Sequence, residues 1–184
     1  MRIIKNFTKK IYRKYFFTEP IKALKRKGLI VGKNFTMQGG VSIDSSHCWL
    51  ICIGNNVTLS PNVVILAHDA SMKMFTNYTK IGQVIIGNRV FIGACTTILP
   101  GVKIGNDVVV AAGSLVNRDI PDGVVAGGNP AKVIGDIQDF IARKKSEMKI
   151  FPCFGKEYTE RGNITDEKKK QMNEMMSERY GYII

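Results

Sequence analysis

The sequence predicts an all-β solenoid of short parallel strands, flanked by helices at both ends. Two observations carry this. Over Ile86 to Pro121, β-branched apolar residues recur every six positions, at Ile86, Ile92, Ile98, Ile104, Val110 and Val116. Four residues after each stand Val90, Thr96, Val102, Val108, Ser114 and Ile120, mostly small or β-branched. The second observation is glycine placement: Gly87, Gly93 and Gly105 follow three of the lead residues, and the tripeptide Ile-Gly-Asn occurs at both Ile86 and Ile104, three sixes apart. An amphipathic helix repeats every 3.6 residues and a strand every 2, and neither period yields six. A fixed short repeat of this length marks a stacked architecture, the parallel β-helix.

The physics of such a coil is simple. Each six supplies one short strand and one corner, and three sixes close a triangular turn. The next turn stacks at the strand spacing of about 4.8 Å. The lead Ile or Val points inward onto its equivalents above and below, and each such burial stabilises by about 1.5–3 kcal/mol. Glycine at a corner adopts positive φ without steric cost. No turn buries its own apolar face, so stability comes from stacking. General chirality rules favour right-handed crossovers between parallel strands; the repeat itself does not set the hand.

The chain divides into three parts. Residues 1–29 read as a basic amphipathic helical arm, with Ile3, Phe7, Ile11 and Tyr15 at i, i+4 spacing and Lys5, Lys9, Lys10, Arg13 and Lys14 around them. Residues 30–135 form the coil. Val31, Met37 and Ile43 start the repeat, a slip of four residues around His47–Cys52 shifts it, and Ile53, Leu59 and Ile65 resume it. Residues 71–85 leave the period and are expected to form an excursion loop from one corner. Long loops of this kind are often functional. Residues 136–184 form a C-terminal helical extension. Its first helix is expected over 136–149. Its second runs over 165–180, with Thr165 as N-cap and Asp166 and Glu167 in the first turn.

The net charge of +12 is uneven. Residues 1–33 hold eleven Lys/Arg against one acid, Glu19, while 34–135 hold six against five and 136–184 ten against nine. A local basic arm, with no nucleic-acid reading motif, argues against a nucleic-acid partner. An arm of this composition suits either packing on the coil or a neighbouring subunit, or peripheral contact with an anionic membrane surface through residues 1–27. No apolar run is long enough to cross a membrane, and no signal peptide is expected. Cys48, Cys52, Cys95 and Cys153 lack paired metal-ligand spacing and read as reduced thiols of a cytoplasmic protein.

Only two histidines are available for chemistry. His47 lies in the slipped segment. His68, followed by Asp69, ends a coil directly before the excursion. An imidazole in that position suits general base catalysis near neutral pH.

Ile53-Gly54-Asn55-Asn56-Val57, then His68-Asp69, the off-period loop, the sixes from Ile86 to Asp119 and the closing Gly128-Asn129-Pro130-Ala131-Lys132-Val133-Ile134 resemble the hexapeptide-repeat acyltransferases. Within them the chain is most similar to the maltose, galactoside and exopolysaccharide O-acetyltransferases. The resemblance covers roughly residues 30–135. It implies a left-handed parallel β-helix, a homotrimer with active sites between subunits, acetyl-CoA as donor and a sugar or glycan acceptor. His68 matches the catalytic histidine, which deprotonates the acceptor hydroxyl for direct attack on the thioester. Gly93, Ala94, Ala112 and Gly113 match small residues that let the pantetheine arm lie on the coils. Asn117 and Arg118 match a threonine and lysine near the cofactor, and Lys132 a basic residue near its phosphates. Asp44 and Asp69 are the acceptor-binding candidates, Asp44 by loose analogy. No residue stands out as the acid that orients His68, and Asp69, its neighbour in a strand, faces the other way.

Three other readings stay open: an N-acetyltransferase of amino-sugars, a non-catalytic β-helix scaffold, and a β-helix carbonic anhydrase. The last needs three histidines around zinc between subunits. This chain has two and the excursion has none, so no metal is expected.

Overall fold

The computed structural model describes residues 19–176 and 180–184. The amphipathic stripe expected at the N-terminus falls, up to residue 18, outside the described residues. The chain forms two units, Met1–Ile137 and Gln138–Ile184.

In the first unit the chain visits three sheets in turn and adds one short strand to each on every pass. The first sheet holds Ile30–Val31, Ile51–Ile53, Val84–Ile86 and Lys103–Ile104. The second holds Thr36–Met37, Thr58–Leu59, Val90–Ile92, Val108–Val110, Val124–Gly127 and, last, Lys132–Asp136. The third holds Ser42–Ile43, Val64–Ile65, Thr97–Ile98 and Leu115–Val116. Every pairing in the three is parallel except the final one, where Lys132–Asp136 folds back antiparallel on Val124–Gly127.

Register follows the repeat. Where it is unbroken, partners such as Val90 and Val108, or Thr97 and Leu115, are 18 residues apart, which is three sixes. Across the four-residue slip the offset is 22, as in Ile30 and Cys52. Across the excursion it is 33, as in Ile51 and Val84. Both insertions fall in the link from the third sheet to the first, on consecutive passes.

The lead residues make the core. Ile86, Ile92, Ile98, Ile104, Val110 and Val116 are all buried, and so are the residues four places on, Val90, Thr96, Val102, Val108, Ser114 and Ile120. Each turn therefore sends two stacked side chains inward per side. Thr96 and Ser114 are tolerated there because both hydroxyls donate to the Ala111 carbonyl, at 3.1 and 2.6 Å. The first pass departs from expectation: Met37 is exposed and Val31 half-buried. Their strands begin their sheets, with only one neighbour among the described residues. The short helix Ile21–Arg26 contributes Leu24 to the same core.

The excursion differs from a structureless loop over 71–85. Val84 and Ile85 already belong to the coil, in register with Ile51 and Cys52. Before them the segment carries a helical turn, Lys73–Thr76, and an antiparallel pair that sets His68 opposite Ile81 and Asp69 opposite Lys80. Gly82 closes the excursion because a Cβ there would lie 2.6 Å from the Gly101 nitrogen.

The second unit contains the helices Ile137–Glu147, which begins at the boundary, and Asp166–Met175, and a parallel pair of Cys153–Phe154 with Tyr182–Ile183. Thr165 caps the second helix, its hydroxyl accepting from the Lys168 N–H at 3.3 Å. That helix ends at Met175, five residues short of expectation. Glu147 gathers Lys144 and the Tyr180 and Tyr182 hydroxyls. Led by the Lys144 bond and then Tyr182, these donors hold its carboxyl down to about 2, and the Tyr182 hydroxyl is pushed up to about 12. No helix among the described residues is long and apolar enough to cross a membrane.

Candidate active site

The corner with both insertions gathers the chemistry. On one pass Ile43 is followed by Asp44, two serines, His47 and a short 3-10 turn, Cys48–Leu50. On the next pass Ile65 is followed by Leu66, Ala67 and His68. Because Ser42 and Ile43 pair with Val64 and Ile65, Asp44 lands beside the start of the His68 segment, and its N–H donates to the Ile65 carbonyl at 2.9 Å.

Asp44 is buried, at 6% exposure, yet both of its carboxylate oxygens are hydrogen-bonded. Oδ1 accepts from the Ser46 and His47 N–H groups at 2.9 and 3.1 Å, and Oδ2 accepts from the Ala67 N–H at 3.0 Å. His68 Nδ1 hydrogen-bonds the same Oδ2. Burial pushes the Asp44 carboxyl up, but the His68 bond and the three backbone N–H groups outweigh it and the net direction is down. The carboxylate is thus ionised at neutral pH, and in a neutral His68 ring it holds the proton on Nδ1. In that tautomer Nε2 carries the lone pair, on a side chain that is 34% exposed.

Expectation placed Asp44 among the acceptor-binding residues and found no acid to orient His68. The structure places Asp44 at 6% exposure with hydrogen bonds on both oxygens, one of them to the His68 ring. Asp69 is exposed, opposite Lys80, and its Oδ1 accepts from the Ser71 N–H at 2.9 Å, the leading cause that holds its carboxyl below the usual range. His47, noted in the sequence only for its position, stands next to the pair. Its ring centroid lies 5.1 Å from that of His68 and 5.3 Å from that of the exposed Trp49. Its Nδ1 is buried with no hydrogen-bond partner among the described residues, which is an unfavourable state for a polar atom.

The cofactor candidates divide between two corners. Gly93, Ala94, Ala112 and Gly113 share the link from the second sheet to the third. There the Gly113 N–H donates to the Ala94 carbonyl at 2.7 Å, and a Cβ on Gly93 would sit 2.4 Å from the Ala112 nitrogen. Only glycine permits the two passes to approach so closely. Gly113, at φ +70°, has open space where a Cβ would be. Exposed Lys132 begins the last strand opposite Gly127, beside Gly128, whose carbonyl accepts from the Leu115 N–H at the same link. Asn117 and Arg118, both exposed, lie on the other corner, two passes beyond His68. One chain therefore brings together Asp44, His47 and His68, and separates the histidine from Ala94, Ala112 and Lys132.

Comparison with known proteins agrees with this architecture. The bacterial transferase hexapeptide (six repeats) family matches residues 78–118. The chain is 46% identical to YvoF of Bacillus subtilis (strain 168) over 62% of its own length and 64% of that protein. It is 38% identical to the protein CapG of Staphylococcus aureus, over 73% of this chain and 76% of CapG. It is also 38% identical to the galactoside O-acetyltransferase of Escherichia coli (strain K12), over 59% of this chain and 54% of that enzyme. Among solved structures, the maltose O-acetyltransferase of Clostridium difficile 630 superposes with TM-score 0.51 at 36% identity, over 60% of this chain and 59% of that one. A hexapeptide-repeat acetyltransferase of Vibrio cholerae O1 biovar eltor, complexed with acetyl coenzyme A, gives 0.55 at 28% identity, over 60% and 61%. The chain thus spans between about half and three quarters of the length of these curated relatives. Its six-residue period, its three parallel sheets and its agreement with CapG over most of that protein make it a member of the hexapeptide-repeat acyltransferase family.

Proposed function

We propose that this chain transfers an acetyl group from acetyl-CoA to a hydroxyl of a sugar or polysaccharide precursor, with His68 as general base. One observation carries the reading: His68 Nδ1 is held by a buried carboxylate, Asp44, while the ring remains partly open at the mouth of the corner. In the reaction, Nε2 takes the proton of the acceptor hydroxyl as its oxygen attacks the thioester carbonyl. The tetrahedral oxyanion then collapses, the C–S bond breaks, and the imidazolium returns the proton to the departing CoA sulfur. Asp44 stays ionised throughout and stabilises the imidazolium. A relative that is a galactoside O-acetyltransferase and a structural neighbour that is a maltose O-acetyltransferase support a sugar acceptor, and the neighbour complexed with acetyl coenzyme A supports the donor.

The split of the candidates between two corners supports a homotrimer, and the match to the hexapeptide family supports a left-handed coil. In such an assembly, the His68 corner of one subunit faces the Ala94–Ala112 corner of the next. Gly93, Ala94, Ala112 and Gly113 then form the bed for the pantetheine arm, and Lys132 and Arg118 supply cations to the nucleotide phosphates. Asn117 lies beside Arg118, and Asp69 stays at the rim of the acceptor side.

The direct test is His68→Ala, assayed with acetyl-CoA against a panel of sugars and amino-sugars. Turnover falls by about 10²–10⁴-fold, while acetyl-CoA affinity and the melting curve are retained. Unchanged turnover sinks the assignment, and transfer only to amino groups moves the enzyme to the N-acetylating class. Mixed oligomers of His68→Ala and Ala112→Trp chains regain activity when sites form between subunits, and stay dead when each site lies within one chain.

A further inference from the structure

His47 has no part in the reaction as written, yet it is placed with care. Asp44, His47 and His68 each offer one ligand atom, and those atoms all lie within 4.8 Å of one another. His47 Nδ1 is buried and meets no hydrogen-bond partner among the described residues. The three side chains are held from two consecutive passes of the coil. His47 is tied through its own N–H to Asp44 Oδ1, and His68 through its ring to Asp44 Oδ2. Two imidazole nitrogens and one carboxylate oxygen form the donor set that binds zinc with a fourth position left to water. Magnesium and calcium prefer sets built of oxygen alone. Closing three donors from this separation to metal-bond length needs only small side-chain shifts, and the exposed side of the His68 ring leaves a way in.

We propose that Asp44, His47 and His68 form an inhibitory zinc site, in which the metal turns the enzyme off by capturing its base. Binding does not depend on the acetyl-transfer reading, whereas the inhibition rests on it. Zinc replaces the His68–Asp44 hydrogen bond. Coordination through Nδ1, the nitrogen that faces Asp44, moves the ring proton to Nε2. That nitrogen then has no lone pair for the acceptor hydroxyl. No redox step is involved, and removing the metal restores the starting tautomer. Imidazole and carboxylate donors also take cobalt, nickel and copper, in the usual order of affinity for such sites.

The test uses the full chain. Metal-free protein is titrated with Zn2+ by calorimetry and with Co2+ by visible absorption, in parallel with acetyl transfer. One equivalent binds per chain, activity falls in step, EDTA restores it, and Mg2+ has no effect. His47→Phe keeps a ring against Trp49 and removes the nitrogens. It retains zinc-free activity and needs at least tenfold more zinc for binding and for inhibition. X-ray absorption on zinc-loaded wild-type protein, which needs no variant to fold, shows nitrogen and oxygen neighbours only. Sulfur neighbours, which would place the metal on the four free cysteines, overturn the site, as does equal zinc affinity in His47→Phe or no binding at all. Stoichiometric binding without loss of transfer leaves the metal site standing and overturns its inhibitory role. If the protein transfers no acetyl group at all, the acetyl-transfer reading fails while calorimetry and Co2+ absorption still decide the site.

Discussion

Two corners of the same coil teach opposite lessons. At the link from the first sheet to the second, the repeat never slips. Gly54, Gly87 and Gly105 stack so closely that a Cβ on Gly87 would lie 2.6 Å from the Gly105 carbonyl oxygen. Beside them Asn55, Asn88, Asn106 and Asp122 form a ladder. Each asparagine donates its side-chain amide and its backbone N–H to the Oδ1 of the next rung, over 2.6 to 3.3 Å. Each of the three asparagine amides is used by its neighbour. At the link from the third sheet to the first, two insertions break the stacking on consecutive passes. There a carboxylate is buried, one imidazole is partly open, and another keeps a buried nitrogen without a partner among the described residues. Regular corners spend their polar groups on the fold. The broken corner leaves one ring partly open and one nitrogen unbonded among the described residues.

The largest effect that tests this contrast comes from Asp44→Asn. The change keeps the shape but removes the charge, and the amide can present an N–H to His68 where an acceptor is needed. Turnover falls by on the order of 10²–10⁴-fold, with acetyl-CoA affinity retained in calorimetry. A variant with full turnover shows that His68 needs no orienting acid and erases the functional half of the comparison. Next comes Asn88→Ala on the ladder. It removes the acceptor of both Asn55 donors and one of the two bonds to Asn106 Oδ1, so chemical denaturation should record a loss of about 0.5–1.5 kcal/mol with turnover per folded molecule unchanged. A drop in turnover without a drop in stability would mean that the ladder edge also works in catalysis.

Acid sharpens the same contrast. The folded Asp44 carboxyl titrates below its ordinary 3.8, so its contribution to stability is complete above that pH and is lost as pH falls through the lowered value. The acceptors for the Asn55 and Asn88 N–H groups are neutral amides and keep their bonds. Hydrogen-exchange protection should therefore fade first at Ser46, His47 and Ala67, the donors to Asp44, while Asn55 and Asn88 stay protected. Simultaneous loss at both corners would show one cooperative unit in place of two separable edges.

The fold was legible because each six repeats the same physical demand. One inward Ile or Val serves every strand from Ile86 to Val116, and the two positions that the period names are buried in each six from Ile86 to Ile120. His68 was legible for the converse reason, as the last residue before the period breaks. Its acid partner was not, because Asp44 lies 24 residues earlier and belongs to no motif. The signal was nevertheless present. Ile43 and Ile65 are both lead residues, and stacking one on the other puts Asp44 level with Leu66, two residues from His68. Carrying the repeat through to its register would have found the pair. The excursion's helical turn and its antiparallel pair gave no such signal, since Lys73–Thr76 is too short for periodicity to show. His47 was visible only as a histidine near a slip, and its proximity to His68 depends on how the 3-10 turn bends the link.

The smallest expected effect lies on the ladder edge itself. Arg89 and Asp107 follow two ladder asparagines, and their side chains meet as a fork, Nε to Oδ1 at 2.6 Å and Nη2 to Oδ2 at 2.5 Å. The Asp107 bond is the leading cause that raises the Arg89 guanidinium, and the Arg89 bond leads in lowering the Asp107 carboxyl. Geometry alone would rank this pair above any single rung. Solvent reverses the ranking. Both side chains are open to water, at 60% and 41% exposure, so the attraction is screened and the free partners are well hydrated. Arg89 also sits at φ +55°, a backbone strain that any non-glycine replacement retains. Arg89→Gln should therefore leave the melting temperature within error of wild type, at low salt and at 1 M NaCl alike. A loss as large as that of Asn88→Ala would mean that the edge is held by charge and not by its neutral ladder. The contrast between the two corners would then rest on the insertions alone.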